Sequence, residues 1–457
     1  MISPDWGLDA SDYAQALLTR FSGQTSKIDV LSDHPAVAWR RSGLAEVTGR
    51  PGEPGLVCPV GLTRAADGAF AAFLRLANAA LAPPFSNIAC GAVLLGERAR
   101  LMGLTRKGAT APGGSCHVFP CTDGWLALNA AREDDADLYA AWLQGETPAD
   151  VHALAPFLKK EPLAGLIERG RLLGLAVAPV DPLADMRPGI QAMRVFDPSD
   201  APARPPKVVD FSSLWAGPLL GSLLLAAGAE VYKVESKSRP DGARFGEKRF
   251  FSLLNEGKQN AVFDFDDASD KRRLLDLVES ADIVIEASRP RALRQLGIDA
   301  REFLQARAGR VWVGITAYGR SEETENYIGF GDDAAAAAGL VKIMKAAHGD
   351  YLFAGDAIAD PLTGLHGAVA ALASWRCGGG LLLDVSLAGV VCDAISADPL
   401  WRAYKERSSA ASFDRSLELR VGEWTQKMAE NTELSYPLRS FDPGVDPTPI
   451  ASFIDVD

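Results

Sequence analysis

The spacing of apolar residues changes near residue 205. Upstream, "ADGAFAAFLRLANAALA" (66–82) and "GAVLLGERARLMG" (91–103) place apolar positions three and four apart, which predicts two helices. "APGGSCHVFPCTDGWLALNAA" (111–131) instead alternates around Thr122-Asp123-Gly124, the pattern of a hairpin. Helical spacing returns in "DADLYAAWLQG" and "EPLAGLIERGRLLG", and "DPSDAPARPP" (197–206) reads as a linker. Beyond it, "KVVDF", "AEVYKVE", "ADIVIEA" and "RVWVGIT" are short Val/Ile-rich runs separated by helical segments such as "GPLLGSLLLAAG" and "DASDKRRLLDLVES". Strand and helix alternating at this length predict a parallel sheet covered by helices. Ligands of such sheets bind beyond the carboxyl ends of the strands.

These patterns divide the chain into an N-terminal arm (1–56), a helical segment with a small α+β domain (57–200), a parallel α/β domain (205–390) and a C-terminal extension (391–457). There is no clean internal repeat, only a faint echo of the helix after Asp360 in the helix near Asp67. The length of 457 residues gives room for such a division. A net charge of −12 argues against nucleic acid as the main partner, while local basic groups can still oppose the global sign at a phosphorylated ligand. The six cysteines form no CxxC pair and the five histidines no HxxxH or HExxH, so no metal site is expected. The alanine-rich windows break too early for a membrane span, and reduced thiols in a cytoplasmic protein are expected.

The chemistry-bearing stretch is "FAGDAIADPLTG" (353–364), which sets Asp356 and Asp360 among small and apolar residues before a long helical run. A buried carboxylate needs a partner, a helix N-terminus or a task. Asp360 followed by Pro361 suits a helix start, with Asp360 as N-cap and Pro361 at the first helical position. The same place suits a reactive carboxylate held in one pose and kept ionised by the helix dipole. Asp356 reads as structural or orienting, His366 as core-facing, and Asp332 and Asp333 in "GFGDDAAAAAG" as a helix cap. Neither a GxGxxG fingerprint nor a P-loop stands after the first strand of the α/β half.

The stretch from the end of that strand, "DFSSLWAGPLLGSLLLAAGAEVYKVE" (210–235), resembles the opening of the class III CoA-transferases. The likeness continues in order through "RPDGARFGEKRFFSLLNEGKQNAVFDF" (239–265), "ADIVIEASRPRALRQLGID" (281–299), "RVWVGITAYGR" (310–320) and "RCGGGLLLDVSLAG" (376–389). The family includes formyl-CoA:oxalate transferase, carnitine CoA-transferases and alpha-methylacyl-CoA racemase. The resemblance implies a Rossmann-like CoA-binding domain in the C-terminal half beside a smaller α+β domain in the N-terminal half. It implies that Asp360 is the nucleophile of CoA transfer from an acyl-CoA to a carboxylic acid, through an aspartyl anhydride and an aspartyl-CoA thioester. For coenzyme A, which is substrate and not a tightly bound cofactor, it implies contacts at Trp215, Ala216, Ser236, Phe263, Asp266, Ala287, Ser288 and Arg289. Lys233, Arg239, Lys258 and Arg289 are the candidate cations for its phosphates. It implies a homodimer, with neither membrane nor nucleic acid as partner.

The chain departs from the family where it has Ser236, Ala287 and Gln295, and in its order. The family's Asp-Gly-Trp strand comes after the nucleotide-binding half, whereas here "CTDGWLALNAA" (121–131) precedes it, as in a circular permutation or the remnant of a fusion. Pro112-Gly113-Gly114 corresponds to the family's glycine-rich lid, and nothing after residue 390 resembles the family. Two alternatives stand beside an active transferase: a catalytically weak CoA-binding subunit, and an acyl-CoA racemase, which would need a histidine near "IGFGDDAAAA" that the chain lacks.

Overall fold

The computed structural model describes residues 9–78, 81–145, 148–180, 188–200, 203–405, 410–431 and 435–440. The longer helices that open the N-terminal half are α1 (Ala10–Ser22), α2 (Leu62–Ala77) and α3 (Ala92–Met102), with the shorter Pro35–Arg41 and Leu44–Val47 between the first two. A three-stranded antiparallel sheet comes next, in the order β1 (Cys116–Pro120), β2 (Trp125–Asn129), β3 (Ala176–Pro179). Its hairpin turns at Thr122-Asp123-Gly124, as the alternation predicts, and Cys116 pairs with Asn129. Helix α4 (Leu163–Leu173) covers this sheet over a core of its own built on Trp142, Leu126 and Leu166. Asp123 fixes the turn to that helix, its carboxylate accepting from the Leu163 N–H at 2.7 Å.

The C-terminal half is a seven-stranded sheet in the order β4-β10-β9-β8-β5-β6-β7. Its strands are β4 (Ile190–Arg194), β5 (Lys207–Asp210), β6 (Glu230–Ser236), β7 (Gln259–Phe263), β8 (Ile283–Glu286), β9 (Val311–Thr316) and β10 (Leu381–Ser386). Six strands are parallel, and β4 adds an antiparallel edge. The fold class is therefore α/β, with apolar runs buried on both faces as parallel sheets require. One face carries α5 (Ala216–Ala226); the other carries α6 (Ala268–Ser280) over Leu274, Leu277 and Trp312. Helices α7 (Gly331–Ala337), α8 (Ala359–Arg376) and α9 (Leu387–Ala397) are further helices of this half.

Helix α8 is the centre of the molecule. Leu362, Leu365 and Val369 share one core cluster with Leu17 of α1, Phe73 of α2 and Leu220 of α5. The chain of small residues in α8 makes this possible: a Cβ at Gly364 would lie 2.6 Å from the Ala216 carbonyl oxygen. His366 is core-facing as expected, donating from Nδ1 to the Leu362 carbonyl at 2.7 Å and accepting at Nε2 from the Tyr13 hydroxyl at 2.8 Å. Helix α1, in the segment expected to be an arm, thus packs directly on α2 and α8. Of the C-terminal extension expected over 391–457, residues 441–457 lie outside the described residues.

One local expectation is corrected. Helix α8 begins at Ala359 with Ile358 as N-cap, so Asp360 is the second helical residue and Pro361 the third. The Asp360 carboxylate caps nothing in its own helix; it faces the Gly331 backbone across the site, and that amide favours its ionised form.

Candidate active site

Every residue of α8 from Ala359 to Trp375 is buried except Asp360. That exception opens into a cleft of about 850 Å³ at the carboxyl ends of β5, β8 and β9, where Phe211, Ala287 and Thr316 line it. The N-terminal half closes the opposite side with Arg98, Gly113, Ser115, Asn129 and Arg132. The cleft thus lies between the large sheet and the other half of the chain, the usual place for ligands of such sheets.

The seat of Asp360 is built from three segments. The turn before α8 brings Ala357 to φ +43°, a left-handed conformation that non-glycine residues adopt at a cost. The Asp360 N–H donates back to the Ala357 carbonyl at 2.9 Å, and the Ala357 N–H donates to Asp332 Oδ1 at 2.8 Å. Gly331 faces them, and any Cβ there would collide with Asp360 Oδ2 and the Ala357 carbonyl. Glycine is required here for close approach, which lets its N–H reach the carboxylate.

Four carboxyls crowd this place. Burial pushes Asp360 up to about 7, with Asp333 and Asp356 adding to the rise, while Arg98 and the Gly331 N–H hold it down. The expectation of a carboxylate kept ionised by the dipole is thereby adjusted: desolvation outweighs the helix end, and the group titrates near neutrality. Burial and the charge of Asp356 raise Asp332 well above the usual carboxylate range. Asp333 is raised to about 6 and caps α7, its Oδ1 accepting from the Phe330 N–H at 2.8 Å and from Asn129 Nδ2 at 3.1 Å. Asp332 caps nothing and serves Ala357 instead. Asp356, fully buried, is paired with Arg98, whose Nη1 lies 2.8 and 2.7 Å from its two oxygens. The same guanidinium lies 5.8 Å from the Trp215 ring centroid.

The far end of the cleft is cationic. Arg132, Arg239 and Arg289 line it, and burial together with the charges of Arg291, Arg132 and Arg239 depresses Arg289. Glu247 and Glu325 also line the cleft, each held by an arginine, Arg249 at 2.9 Å and Arg294 at 3.2 Å. Three polar atoms buried at the lining make no hydrogen bond, Asn129 Oδ1, Trp215 Nε1 and Ser288 Oγ.

Of the residues singled out from the sequence, Asp360, Trp215, Ala216, Arg239, Ala287, Ser288 and Arg289 come together here. Ser236, Lys258, Phe263 and Asp266 are not among the lining residues. Ser236 lies buried at the end of β6, its hydroxyl 3.0 Å from that of Ser238. Phe263 sits in the core under α6, and Asp266 is exposed beyond β7. Lys258 is enclosed behind α5, bonded to Asp210 at 3.0 Å, the Pro218 carbonyl at 2.8 Å and Asn255 at 3.1 Å. Lys233 is likewise held by Asp241 at 2.7 Å. Arg98, Ser115, Asn129 and Arg132 are cleft residues that no sequence signal singled out.

Fold and site define a parallel α/β protein with a carboxylate set in a partly cationic cleft. Residues 206–419 match the model of CoA-transferase family III. The match runs past residue 390, beyond the last motif that carried the resemblance. An acyl-CoA transferase of Fusarium pseudograminearum is 32% identical over 200 residues, covering 40% of this chain and 44% of that one. Succinyl-CoA:glutarate CoA-transferase of Mus musculus is 29% identical over 192 residues, with the same two coverages of 40% and 44%. The chain thus spans less than half the length of these relatives. The crystal structure of a CaiB/BaiF family protein from Brucella suis is also similar, at 24% identity and a TM-score of 0.40, covering 47% of this chain and 59% of that one. Among the described residues no helix is long and apolar enough to cross a membrane.

Proposed function

We propose that the protein moves CoA from an acyl-CoA donor to a carboxylic acid acceptor, with Asp360 as nucleophile. The observation that supports this best is the position of Asp360, the one open residue between Ala359 and Trp375 of α8, facing a cleft that Arg132, Arg239 and Arg289 line. The Asp360 carboxylate attacks the thioester carbonyl, forming a mixed anhydride and expelling CoA thiolate. The thiolate attacks the aspartyl carbonyl, releasing the donor acid and leaving an aspartyl-CoA thioester. The acceptor carboxylate attacks that thioester, which restores an anhydride and the thiolate. Attack of the thiolate on the acceptor carbonyl then forms the new acyl-CoA and returns Asp360 to its carboxylate. Each step exchanges one activated acyl group for another, so no external energy source enters.

The chain's own residues supply pose and environment. The Gly331 backbone lies close against one carboxylate oxygen, and the crowding that lifts its proton affinity raises its basicity as well. Trp215, Ala216, Ala287 and Ser288 offer a slot for the CoA body, with Arg239 and Arg289 for its phosphates. No histidine lines the cleft among the described residues, which favours transfer over a two-base racemisation.

Incubation with a panel of acyl-CoAs, followed by mass spectrometry of peptides, tests this. A CoA or acyl adduct on Asp360, absent from Asp360→Asn, is the expected result. Tight acyl-CoA binding with no adduct and no transfer for any donor would favour the CoA-binding subunit instead.

A further inference from the structure

We infer that Arg98, on α3 in the N-terminal half, is a positioning residue for Asp360, acting through Asp356 and the turn that joins the two aspartates. The inference rests on Asp360 being the nucleophile. Residues 355–358 form a turn with a left-handed alanine at its centre, and such a conformation persists only where its surroundings hold it. Two elements hold this one. From α7, Asp332 accepts the Ala357 N–H at 2.8 Å; from α3, Arg98 grips both oxygens of Asp356 at 2.8 and 2.7 Å. The Ala357 carbonyl then receives the Asp360 N–H at 2.9 Å, so the grip passes directly to the first turn of α8. The guanidinium, 5.8 Å from the Trp215 ring centroid, neutralises Asp356 beside the reactive carboxylate. A segment 258 residues away in sequence therefore completes the site in the same chain.

The arrangement is also a charge balance. The charges acting on Asp360 are Arg98 from α3, Asp333 from α7 and Asp356 from the turn; Asp356 in turn acts on Asp332 and is itself acted on by Lys107. Arg98 is the cation of this set that acts on Asp360 itself, and it favours the ionised form. Removing either partner of the pair unbalances the field in opposite senses.

The test is the pH profile of kcat/KM for acyl-CoA in the full chain, whose acidic limb reports ionisation of Asp360 in the free enzyme. Arg98→Ala is expected to move that limb to higher pH and lower the plateau kcat by on the order of 10²-fold through misplacement. Asp356→Asn leaves Arg98 unopposed and moves the limb to lower pH. The double variant returns the limb towards wild type while the plateau stays low. Arg98→Lys keeps the charge, so its limb stays near wild type although its plateau falls. Limbs that stay put, or move the same way in both single variants, overturn the inference. If Arg98→Ala does not fold, Asp356→Asn and Arg98→Lys decide by the same criteria. An adduct found on wild-type Asp360 beside unmoved limbs removes only the role of Arg98. No adduct on wild-type Asp360 removes the nucleophile, and with it this inference.

Discussion

Helices α2 and α8 lie against each other in one core, and each carries an aspartate that burial raises to about 7, Asp67 on α2 and Asp360 on α8. The two differ in what surrounds them. Asp67 is 2% exposed, and its Oδ1 is spent on the Ala92 N–H at 2.8 Å, at the start of α3. A Cβ at the neighbouring Gly68 would lie 2.6 Å from the Ala10 carbonyl, so α1 seals that side. Asp360 has the same proton affinity but faces a cleft, and a glycine opposite it leaves its oxygens approachable. A perturbed carboxyl marks a functional site only when a substrate can reach it. Proton affinity alone would have chosen both.

The largest expected effect separates them by activity. Asp360→Asn keeps the shape and removes the nucleophile, so CoA transfer should fall by roughly 10⁴-fold or more while acyl-CoA binding stays within a few-fold. Asp67→Asn should leave the rate within about threefold, because it loses no group that substrate meets. Steady-state transfer assays on both variants check this. A folded Asp67→Asn protein without activity would break the comparison, as would an active Asp360→Asn.

Stability should separate them the other way. A carboxyl raised on folding binds its proton more tightly in the folded than in the unfolded chain. Its contribution is fully present below the unfolded value of 3.8 and is lost as pH rises through about 7. Asp67→Asn cannot ionise and escapes that loss. Relative to wild type it should gain about 1–3 kcal/mol between pH 5 and pH 8, read from urea unfolding at both values. Asp360→Asn should move in the same direction by less, since the cleft admits water to its carboxylate. Parallel pH dependence in wild type and Asp67→Asn would show that Asp67 is not buried as a proton-holding group.

Much of this was legible in the chain. The Val/Ile-rich runs marked β5, β6, β8 and β9, and the alternation at 111–131 marked the hairpin, because both periods are set by which face is buried. Asp360 stood out because its neighbours are small and apolar. The N-terminal wall of the cleft was not legible: Arg98 sits in an ordinary helical pattern, and only the packing of α3 against the turn before α8 gives it Asp356. Lys258 shows the opposite failure. A lysine between two strands reads as a phosphate cation, yet its side chain runs back under α5 to Asp210, a partner 48 residues away that spacing does not reveal. Reading an aspartate's place in a helix fared similarly, since Asp360 faces across to Gly331 and leaves capping unused.

The smallest effect expected sharpens the contrast between arginines that line the cleft and lysines enclosed behind it. Arg289 lines the cleft, and the neighbouring guanidiniums that depress it make an anion welcome there. A charge-assisted hydrogen bond to a phosphate in such a wet place contributes about 1 kcal/mol net. Arg289→Ala should therefore weaken CoA binding about fivefold and flatten its dependence on salt, with kcat unchanged. Lys258→Met should leave the CoA affinity alone and instead lower the melting temperature, because it strands the buried Asp210 carboxylate without its cation. Calorimetric titration of CoA at two salt concentrations, beside a thermal melt of each variant, measures all four quantities. Loss of CoA affinity in a folded Lys258→Met protein, with none in Arg289→Ala, would move the phosphate site out of the cleft and towards the ends of β6 and β7.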